Sequence, residues 1–434
     1  MPWPDHAIWW HVYPLGFVGA EPLALPPQTP PVPRLSQLHG WLDYLVELGC
    51  NGLALGPVFA SETHGYDTVD HLRIDPRLGT EADLTDLVEQ ASSRGVRVLL
   101  DGVFNHVGRS FPAFADVAAH GTRSRYADWF RADPDTGEHH TFEGHHHLVT
   151  LNHDEPEVAD YVTRVLEHWL ERGVAGWRLD AAYAVPLPFW RTVTDRARNR
   201  FPGAWFFGEV IHGDYPAFVT EGGLDSVTQY ELWKAIWSSL NDRNFYELAW
   251  ALDRHNALLE TFTPQTFLGN HDVTRIASRL HDQRRLPHAL AIVLTLGGNP
   301  SVYAGDEQAF RGVKEHRVGG DDAIRPAFPA DPDRLPADGR HHYRLHQELI
   351  GLRRRHPWLT RARTTVTTLT NTTLVYTVSD GVQALAVALA LDDREAELAL
   401  PPGCWLRVAG PGSVAGSRAV LPPSGWIIAT DQLR

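Results

Sequence analysis

Short apolar runs alternate with amphipathic stretches over roughly the first 350 residues. Residues 35–48, 81–94 and 156–172 have apolar side chains at helical spacing, and Gly95 and Gly173 follow the last two as C-caps. The intervening runs have the length and composition of buried strands. They are residues 8–15, 51–55, 97–103, 176–179, 205–209, 225–229, 266–268 and 300–303. Eight strands separated mostly by helices predict an α/β fold, a (β/α)8 TIM barrel.

Residues 107–152 depart from this alternation. They show no strong period and are rich in histidine, glycine and aromatic residues. A loop of this length in a compact domain is usually functional or forms a subdomain. Because it follows the third strand, we expect it to overhang the barrel mouth as a short inserted domain B.

A second departure begins near residue 358, where the pattern changes to short β-rich runs. These runs are residues 364–369, 373–378, 384–389 and 396–400. They predict a C-terminal antiparallel β-sandwich. The expected organisation is a catalytic barrel of residues 1–106 and 153–357, domain B of 107–152 and a β domain of 358–434.

Charge and hydropathy restrict the class of protein. The formal net charge of −14 disfavours nucleic acid, whose phosphates demand a basic surface. No apolar run approaches the roughly 18 residues of a membrane span, and the N-terminus does not resemble a secretory signal. Cys50 and Cys404 are predicted to be thiols rather than a disulfide. We therefore expect a cytoplasmic protein with neither membrane nor nucleic-acid partners.

Polar side chains follow four of the predicted strands. The segments are residues 101–106 (DGVFNH), 176–182 (GWRLDAA), 208–210 (GEV) and 267–272 (FLGNHD). A parallel barrel gathers such strand ends at one mouth. Glycoside hydrolysis needs a proton donor and a negative partner for the oxocarbenium ion, and Asp180, Glu209 and Asp272 can supply these groups. The same segments contain three further polar side chains for such a site: Arg178, His106 and His271.

Two of the acids have distinct predicted roles. Asp180 is the candidate nucleophile, since it lies two residues after Arg178 and therefore on the same side of the strand. The guanidinium should keep its carboxylate ionised. Glu209 ends an aromatic run and lies near other carboxylates, so it is the candidate general acid and base.

These segments resemble the α-amylase family, glycoside hydrolase family 13, over about the first 360 residues. Residues 148–152 (LVTLN) are similar to the neopullulanase and cyclomaltodextrinase version of a fifth family segment. Residues 64–68 (HGYDT) and 303–307 (YAGDE) are further matches. The chain thus resembles the neopullulanase, cyclomaltodextrinase and α-glucosidase branch.

The resemblance implies a retaining reaction and further substrate contacts. Asp272 would hold the hydroxyls at carbons 2 and 3 of the reacting sugar, and His106 and His271 would hydrogen-bond the same sugar. Tyr66 resembles its stacking platform, and Asp67 would either pair with Arg178 or order its own loop. After strand eight, Asp321 and Arg325 have the spacing of a pair that grips this sugar or its neighbour, although a solvated loop is the alternative.

The segment after the nucleophile differs from many amylases, which have a Lys-His pair there. Here residues 181–184 read AAYA, so the leaving-group side is apolar and aromatic. This favours short oligosaccharides or an aglycone over long starch chains. Tyr183 is either an acceptor platform or a packing residue, and His212 lines the same side. The extra N-terminal domain of the neopullulanase group is not recognised, so we expect a self-contained site in a monomer or homodimer.

Neither a metal nor another cofactor is expected. His139, His140 and the run 145–147 alternate in direction along an extended chain, so a hydroxyl-binding or solvated loop is favoured over zinc. Many amylases bind a structural calcium through the position of Asn105 and acids of domain B. The short domain B of this chain shows no such ligand pattern.

The sequence therefore predicts a glycosidase that cleaves α-1,4 bonds, with α-1,6 bonds as a further candidate, in short oligosaccharides. The alternative is a transglycosylase that transfers the glycosyl group from Asp180 to a sugar or a small hydroxyl acceptor. A non-catalytic accessory subunit would require loss of an acid, and all three acids are present.

Overall fold

A computed structural model describes residues 3–317 and 319–431. Eight parallel strands form one sheet in which the first strand pairs with both the second and the eighth. The strands are β1 (Trp9–Val12), β2 (Gly52–Leu55), β3 (Arg97–Gly102), β4 (Gly176–Leu179), β5 (Trp205–Gly208), β6 (Ser226–Val227), β7 (Gln265–Phe267) and β8 (Asn299–Tyr303). A parallel bridge between Thr228 and Gln265 joins β6 to β7 and closes the ring. The predicted TIM barrel is confirmed.

Strand β6 is shorter than predicted. Only Ser226 and Val227 form the strand, whereas the sequence predicts residues 225–229. The side chain of Gln229 accepts a hydrogen bond from the Leu232 backbone N–H at 3.2 Å and caps the next helix. The chain therefore leaves the sheet earlier than its apolar pattern indicates.

Several of the helices around the barrel begin or end at recognisable signals. Thr80 and Asp83 form a capping box at the start of one helix. Gly49, with φ of 97°, ends another in the left-handed region. The α-helices span Pro14–Phe17, His39–Leu48, Glu81–Ser93, Pro112–His120, Pro156–Leu170, Leu187–Arg200, Tyr215–Thr220, Tyr230–Asp242, Tyr246–Leu258, Ile276–Arg279, Leu286–Thr295 and Arg340–Arg355.

The insertion after β3 is more ordered than its sequence pattern predicts. Strand His106–Gly108 pairs with Leu148–Thr150 as an antiparallel hairpin at its base. Helix Pro112–His120 lies between these two strands in the sequence and buries Phe114 and Val117. Its nine residues make only about two and a half turns, too few for a clear helical period.

The inside of the barrel is filled with large side chains. The rings of Trp9 and Trp205 stack with centroids 5.5 Å apart. They form one apolar cluster with Leu99 and Phe207. This packed interior leaves the carboxyl ends of the strands as the place where a site can form.

The C-terminal residues form two antiparallel sheets, as predicted. The strands are β9 (Arg363–Leu369), β10 (Thr373–Ser379), β11 (Ala384–Ala390), β12 (Ala396–Ala399), β13 (Trp405–Ala409), β14 (Ser413–Ala415), β15 (Arg418–Leu421) and β16 (Trp426–Asp431). Their orders in the two sheets are β9-β10-β11-β16-β13 and β12-β15-β14. Leu294 of a barrel helix shares one hydrophobic cluster with Tyr376 and Val387. This β unit therefore packs on the barrel; the domain boundaries named above stay a prediction.

Within the described part of the chain, no helix combines the length and the apolar character needed to cross a bilayer.

Strands β4 and β5 approach closely at Gly176. A Cβ atom at this position would lie 1.9 Å from the carbonyl oxygen of Trp205. We expect Gly176→Ala to lower the free energy of unfolding by about 2 kcal/mol or more, because the neighbouring backbone must shift. Urea unfolding followed by tryptophan fluorescence measures this loss.

Gly203→Ala is the matched control, since a Cβ there meets no atom within 4 Å. Its free energy of unfolding should change by less than about 0.5 kcal/mol. Equal stability of the two variants would contradict the close approach of β4 and β5.

Candidate active site

Three acids meet around one arginine at the carboxyl ends of β3, β4 and β5. Asp101 lies in β3 directly opposite Arg178 of β4. Asp180 follows β4, and Glu209 follows β5. Each of these four residues is at most 6% exposed. The barrel therefore brings the predicted nucleophile and the predicted general acid into one buried cluster.

The guanidinium of Arg178 contacts all three carboxylates. Its Nη1 donates to both oxygens of Asp101 at 2.6 Å and to Oδ1 of Asp180 at 3.1 Å. Its Nη2 lies 2.9 Å from Oε2 of Glu209. The alternation of side chains along β4 thus places Arg178 and Asp180 on the same side, as their spacing indicates.

Glu209 is also held by groups that the sequence analysis does not single out as site residues. The hydroxyl of Tyr230 donates to Oε1 at 3.0 Å and accepts a hydrogen bond from the Asn270 amide at 2.8 Å. Asn270 lies within residues 267–272, one of the segments predicted to reach the site, so its role could have been predicted from the sequence. Tyr230 begins the helix after β6, where its sequence pattern indicates only a buried helical residue.

The residue after Asp180 has a strained backbone. Ala181 has φ of 43° and ψ of 39°, a left-handed conformation that costs a non-glycine residue about 1 kcal/mol or more. Its N–H donates to Oε2 of Glu209 at 3.2 Å. The strained turn therefore supplies a further contact that fixes the position of the acid.

Asp272 lies at the end of β7 between a histidine and an arginine. Its Oδ2 is 2.8 Å from Nε2 of His271, and its Oδ1 accepts from Nη2 of Arg325 at 2.8 Å. The same nitrogen of Arg325 is 3.0 Å from Asp321. The structure therefore forms the Asp321–Arg325 pair and connects it directly to Asp272.

The segment after β2 closes another side of the cluster. The Tyr66 hydroxyl donates to Asp101 at 3.0 Å and contacts His271. Asp67 does not pair with Arg178; it accepts from the N–H and the hydroxyl of Thr63 at 3.1 and 2.5 Å. Of the two predicted alternatives, Asp67 therefore orders its own loop. The guanidinium of Arg178 is already occupied by the three carboxylates described above.

His106 is buried and bound to protein groups. Its Nε2 lies 3.1 Å from the carbonyl oxygen of Tyr66, and its Nδ1 lies 3.0 Å from the Asn105 amide. The ring of Phe142 stacks on it with centroids 4.7 Å apart. Burial lowers the pKa of His106 to about 3, so its ring is neutral at physiological pH.

The predicted leaving-group side is aromatic, and the insertion forms part of it. The rings of Tyr183 and His212 are 5.1 Å apart. The Tyr183 hydroxyl donates to Oε1 of Glu143 at 2.8 Å. No local sequence pattern marks Glu143 or Phe142 as site residues; only the position of the insertion after β3 places them near the barrel mouth.

The histidine-rich loop does not assemble a metal site in the described residues. No group of three or more His, Cys, Asp or Glu side chains within 3–317 and 319–431 has suitable geometry for an ion. The amide of Asn105 contacts His106.

Burial and charge act in opposite directions on the acids. Burial raises the pKa of Asp180 and of Asp101, although Arg178 opposes it in both. Asp272 differs, because His271 and Arg325 outweigh its burial and hold its pKa well below the usual value. Arg178 favours the ionised form of Asp180, as predicted, but burial has the larger effect on the pKa of this acid. Asp101 and Asp180 therefore bind a proton more tightly than free carboxyls do, and Arg178 is the group that favours the ionised Asp180 that a nucleophile requires.

Removal of Arg178 should destabilise the fold in a pH-dependent way. Arg178→Met leaves the buried carboxylates without their cation, and we expect a loss of about 3–5 kcal/mol near neutral pH. A pKa raised by folding means that the folded state binds the proton more tightly, so these acids reduce stability as the pH rises through their folded pKa. The loss should be largest at pH 8 and shrink toward pH 5.

Urea unfolding at both pH values measures this effect. Arg196→Met is the control, because Arg196 pairs with Asp160 on the surface at 2.7 Å and is 45% exposed. It should change the free energy of unfolding by less than about 1 kcal/mol. A loss from Arg178→Met that is the same at both pH values would contradict the carboxylate cluster.

Comparison with known proteins identifies relatives of this fold and site. The family described as alpha amylase, catalytic domain, matches residues 35–359. A cyclomaltodextrinase of Geobacillus thermopakistaniensis is 30% identical over 98% of this chain and 77% of its own length. Neopullulanase 2 of Thermoactinomyces vulgaris is 31% identical over 83% of this chain and 64% of its own length. The chain thus spans about two thirds to three quarters of these curated relatives.

Solved structures agree with the sequence comparisons. The ligand-free cyclic α-maltosyl-(1→6)-maltose hydrolase from Arthrobacter globiformis has a TM-score of 0.84 and 25% identity, covering 99% of this chain and 100% of its own. The acarbose-soaked debranching enzyme of Nostoc punctiforme has a TM-score of 0.81 and 25% identity, covering 99% of each chain. The predicted family and branch are confirmed: the chain belongs to the α-amylase family, glycoside hydrolase family 13, and is a glycosidase.

Proposed function

We propose that this enzyme hydrolyses α-1,4 glucosidic bonds of short oligosaccharides with retention of configuration, with α-1,6 bonds as a further candidate. One observation carries the proposal. Asp180 and Glu209 lie within 3.1 and 2.9 Å of nitrogens of the same guanidinium. This arrangement gathers a nucleophile and a proton donor at one glycosidic bond, with about 5 Å expected between the two carboxyl groups of a retaining enzyme.

The proposed reaction has two steps. Glu209 gives its proton to the glycosidic oxygen, an oxygen of Asp180 bonds to the anomeric carbon, and the leaving sugar departs with the proton. Glu209 then takes a proton from water, whose oxygen attacks the same carbon and releases Asp180. Two inversions at one carbon retain the configuration.

The surrounding residues are proposed to hold the reacting sugar. Asp272, which is 29% exposed, would accept its hydroxyls at carbons 2 and 3. His271 and Arg325 hold this carboxylate from two sides. We propose Tyr66 as the stacking platform. His106 binds Asn105 and the Tyr66 carbonyl oxygen through its two ring nitrogens, so its predicted bond to a sugar hydroxyl requires that the sugar displace one of these contacts.

The substrate class is supported by the relatives and by the leaving-group side. The matched proteins include cyclomaltodextrinases, a maltogenic amylase and a neopullulanase. Residues 181–184 lack the Lys-His pair of many amylases, which favours short oligosaccharides over long starch chains.

Transglycosylation is the second candidate function. Tyr183, Phe142 and His212 line the leaving-group side with aromatic rings, which suit the apolar face of an acceptor sugar. In this reaction a sugar hydroxyl replaces water in the second step, and the same acids act.

The setting of the enzyme is also proposed. An intracellular maltogenic amylase of Bacillus subtilis is 30% identical over 72% of this chain, which supports a cytoplasmic location. We propose a monomer or homodimer that acts without a metal or another cofactor and binds neither nucleic acid nor membranes.

Substitutions of the two acids should have different effects. Asp180→Asn should lower kcat on maltotriose by about 10³-fold or more, because the nucleophile is lost. Glu209→Gln should lose most activity on maltotriose but keep part of it on α-glucosyl fluoride, whose leaving group needs no proton. Product release measured with both substrates distinguishes the two roles. Asp160→Asn, at an exposed helix position, should keep full activity; a similarly active Asp180→Asn would exclude Asp180 as nucleophile.

Product analysis tests the substrate and the reaction type. Maltose, maltotriose, cyclodextrin, pullulan, trehalose and sucrose are supplied separately, with and without excess glucose, and products are followed by mass spectrometry and proton NMR. Hydrolysis predicts only shorter sugars, with the α anomer appearing first. Products longer than the starting sugar would establish transglycosylation, whereas an initial β anomer would contradict retention.

A further inference from the structure

Two separate segments meet on the leaving-group side of the site. One is the short helical turn Ala182–Ala184, which directly follows the nucleophile-bearing strand β4. The other is the turn Phe142–Gly144 of the insertion. The hydrogen bond from the Tyr183 hydroxyl to Oε1 of Glu143, 2.8 Å long, joins them. Glu143 therefore faces the catalytic barrel although it lies far from the catalytic acids in sequence.

The position of Glu143 is set by its neighbours. The Phe142 ring stacks on the buried ring of His106, with 15° between the two planes. Glu143 itself has φ of 49° and ψ of 31°, an unfavourable conformation for a residue with a side chain. The turn is thus anchored on one side by Phe142, and its strained backbone directs the carboxylate toward Tyr183.

The Tyr183 hydroxyl is a neutral donor close to the reacting groups. Burial raises its pKa, and the nearby carboxylate of Glu143 adds to this effect. Glu209 and Asp180 contribute in the same direction. Tyr183 lies three residues after Asp180, in the turn that follows β4. The pair formed by Tyr183 and Glu143 therefore lies beside the position from which a sugar leaves or at which an acceptor arrives.

On the leaving-group side of the site, the charged side chain is supplied by the insertion. Residues 181–184 contribute no charged side chain. A carboxylate has about four lone-pair positions, and the hydrogen bond from Tyr183 uses one of them. Glu143 can therefore accept a sugar hydroxyl while it keeps its bond to Tyr183, and the tyrosine ring offers a flat apolar surface to the same sugar.

We propose that Glu143 is a specificity-determining residue that binds a hydroxyl of the glucose unit on the leaving-group side. The same contact binds an acceptor sugar when the glycosyl group on Asp180 is transferred. Glu143 thereby favours glucosides whose leaving group is a sugar over those whose leaving group is an aromatic alcohol. This inference rests on the proposed glucosidase function and names the residue that recognises the second sugar.

A comparison of two substrates tests the proposal. Maltotriose has a sugar as its leaving group, whereas 4-nitrophenyl α-glucoside does not. Glu143→Gln keeps the shape of the side chain and an oxygen that can accept from Tyr183, but it removes the charge. We expect kcat/KM for maltotriose to fall about tenfold, the size of a lost charge-assisted hydrogen bond. The value for 4-nitrophenyl α-glucoside should stay within about twofold.

The acceptor reaction supplies a second readout. With 4-nitrophenyl α-glucoside as donor and excess glucose as acceptor, the ratio of transfer to hydrolysis should also fall about tenfold in Glu143→Gln. Glu138→Gln is the matched control, since Glu138 is an exposed carboxylate of the same insertion. All three values should remain unchanged in that variant.

The possible outcomes distinguish a failure of the proposed glucosidase function from a failure of the proposed role of Glu143. A wild-type enzyme that is inert on both substrates would overturn the proposed function and this inference with it. An active wild-type enzyme, with a Glu143→Gln variant that loses neither activity on maltotriose nor transfer, would overturn only the inference. Equal losses on both substrates would also overturn it, because they would show a general effect on the site.

Discussion

The site depends on the pairing of one buried cation with three buried carboxylates. Arg178 can reach Asp101, Asp180 and Glu209 only because β3, β4 and β5 are parallel, adjacent and in a fixed register. Burial of unpaired carboxylates would cost several kcal/mol each, so the barrel tolerates this cluster only with its guanidinium in place. Strand register, burial and chemistry are therefore linked through a single side chain.

Around this cluster, the protein uses backbone strain and neutral hydrogen-bond donors to fix the acids. The left-handed conformation of Ala181 gives Glu209 a backbone donor, and Tyr230 gives it a hydroxyl. After β7, Asp272 is held by a cation instead, the guanidinium of Arg325. The packed interior of the barrel helps to offset the cost of these arrangements.

Much of the fold and the centre of the site could be predicted from the sequence, because local patterns determine them. Parallel strands have apolar runs, and polar residues at their ends share one mouth, so Asp180, Glu209 and Asp272 could be found without coordinates. Tyr230, Phe142 and Glu143 could not, because their positions depend on where a helix starts and how an insertion folds back. Whether Asp67 binds Arg178 or its own loop depends on how many carboxylates compete for the guanidinium, and no local sequence pattern reveals this number.

The central mechanistic claim is that Asp180 forms a covalent bond to the sugar. The most direct test is to incubate the enzyme with 5-fluoro-α-glucosyl fluoride, which forms a slowly hydrolysed glycosyl-enzyme, and to map the labelled peptide by mass spectrometry. We predict one fluoroglucosyl group per chain, attached to Asp180, and no labelling of the Asp180→Asn variant. A label on another residue, or turnover without any covalent intermediate, would contradict this mechanism.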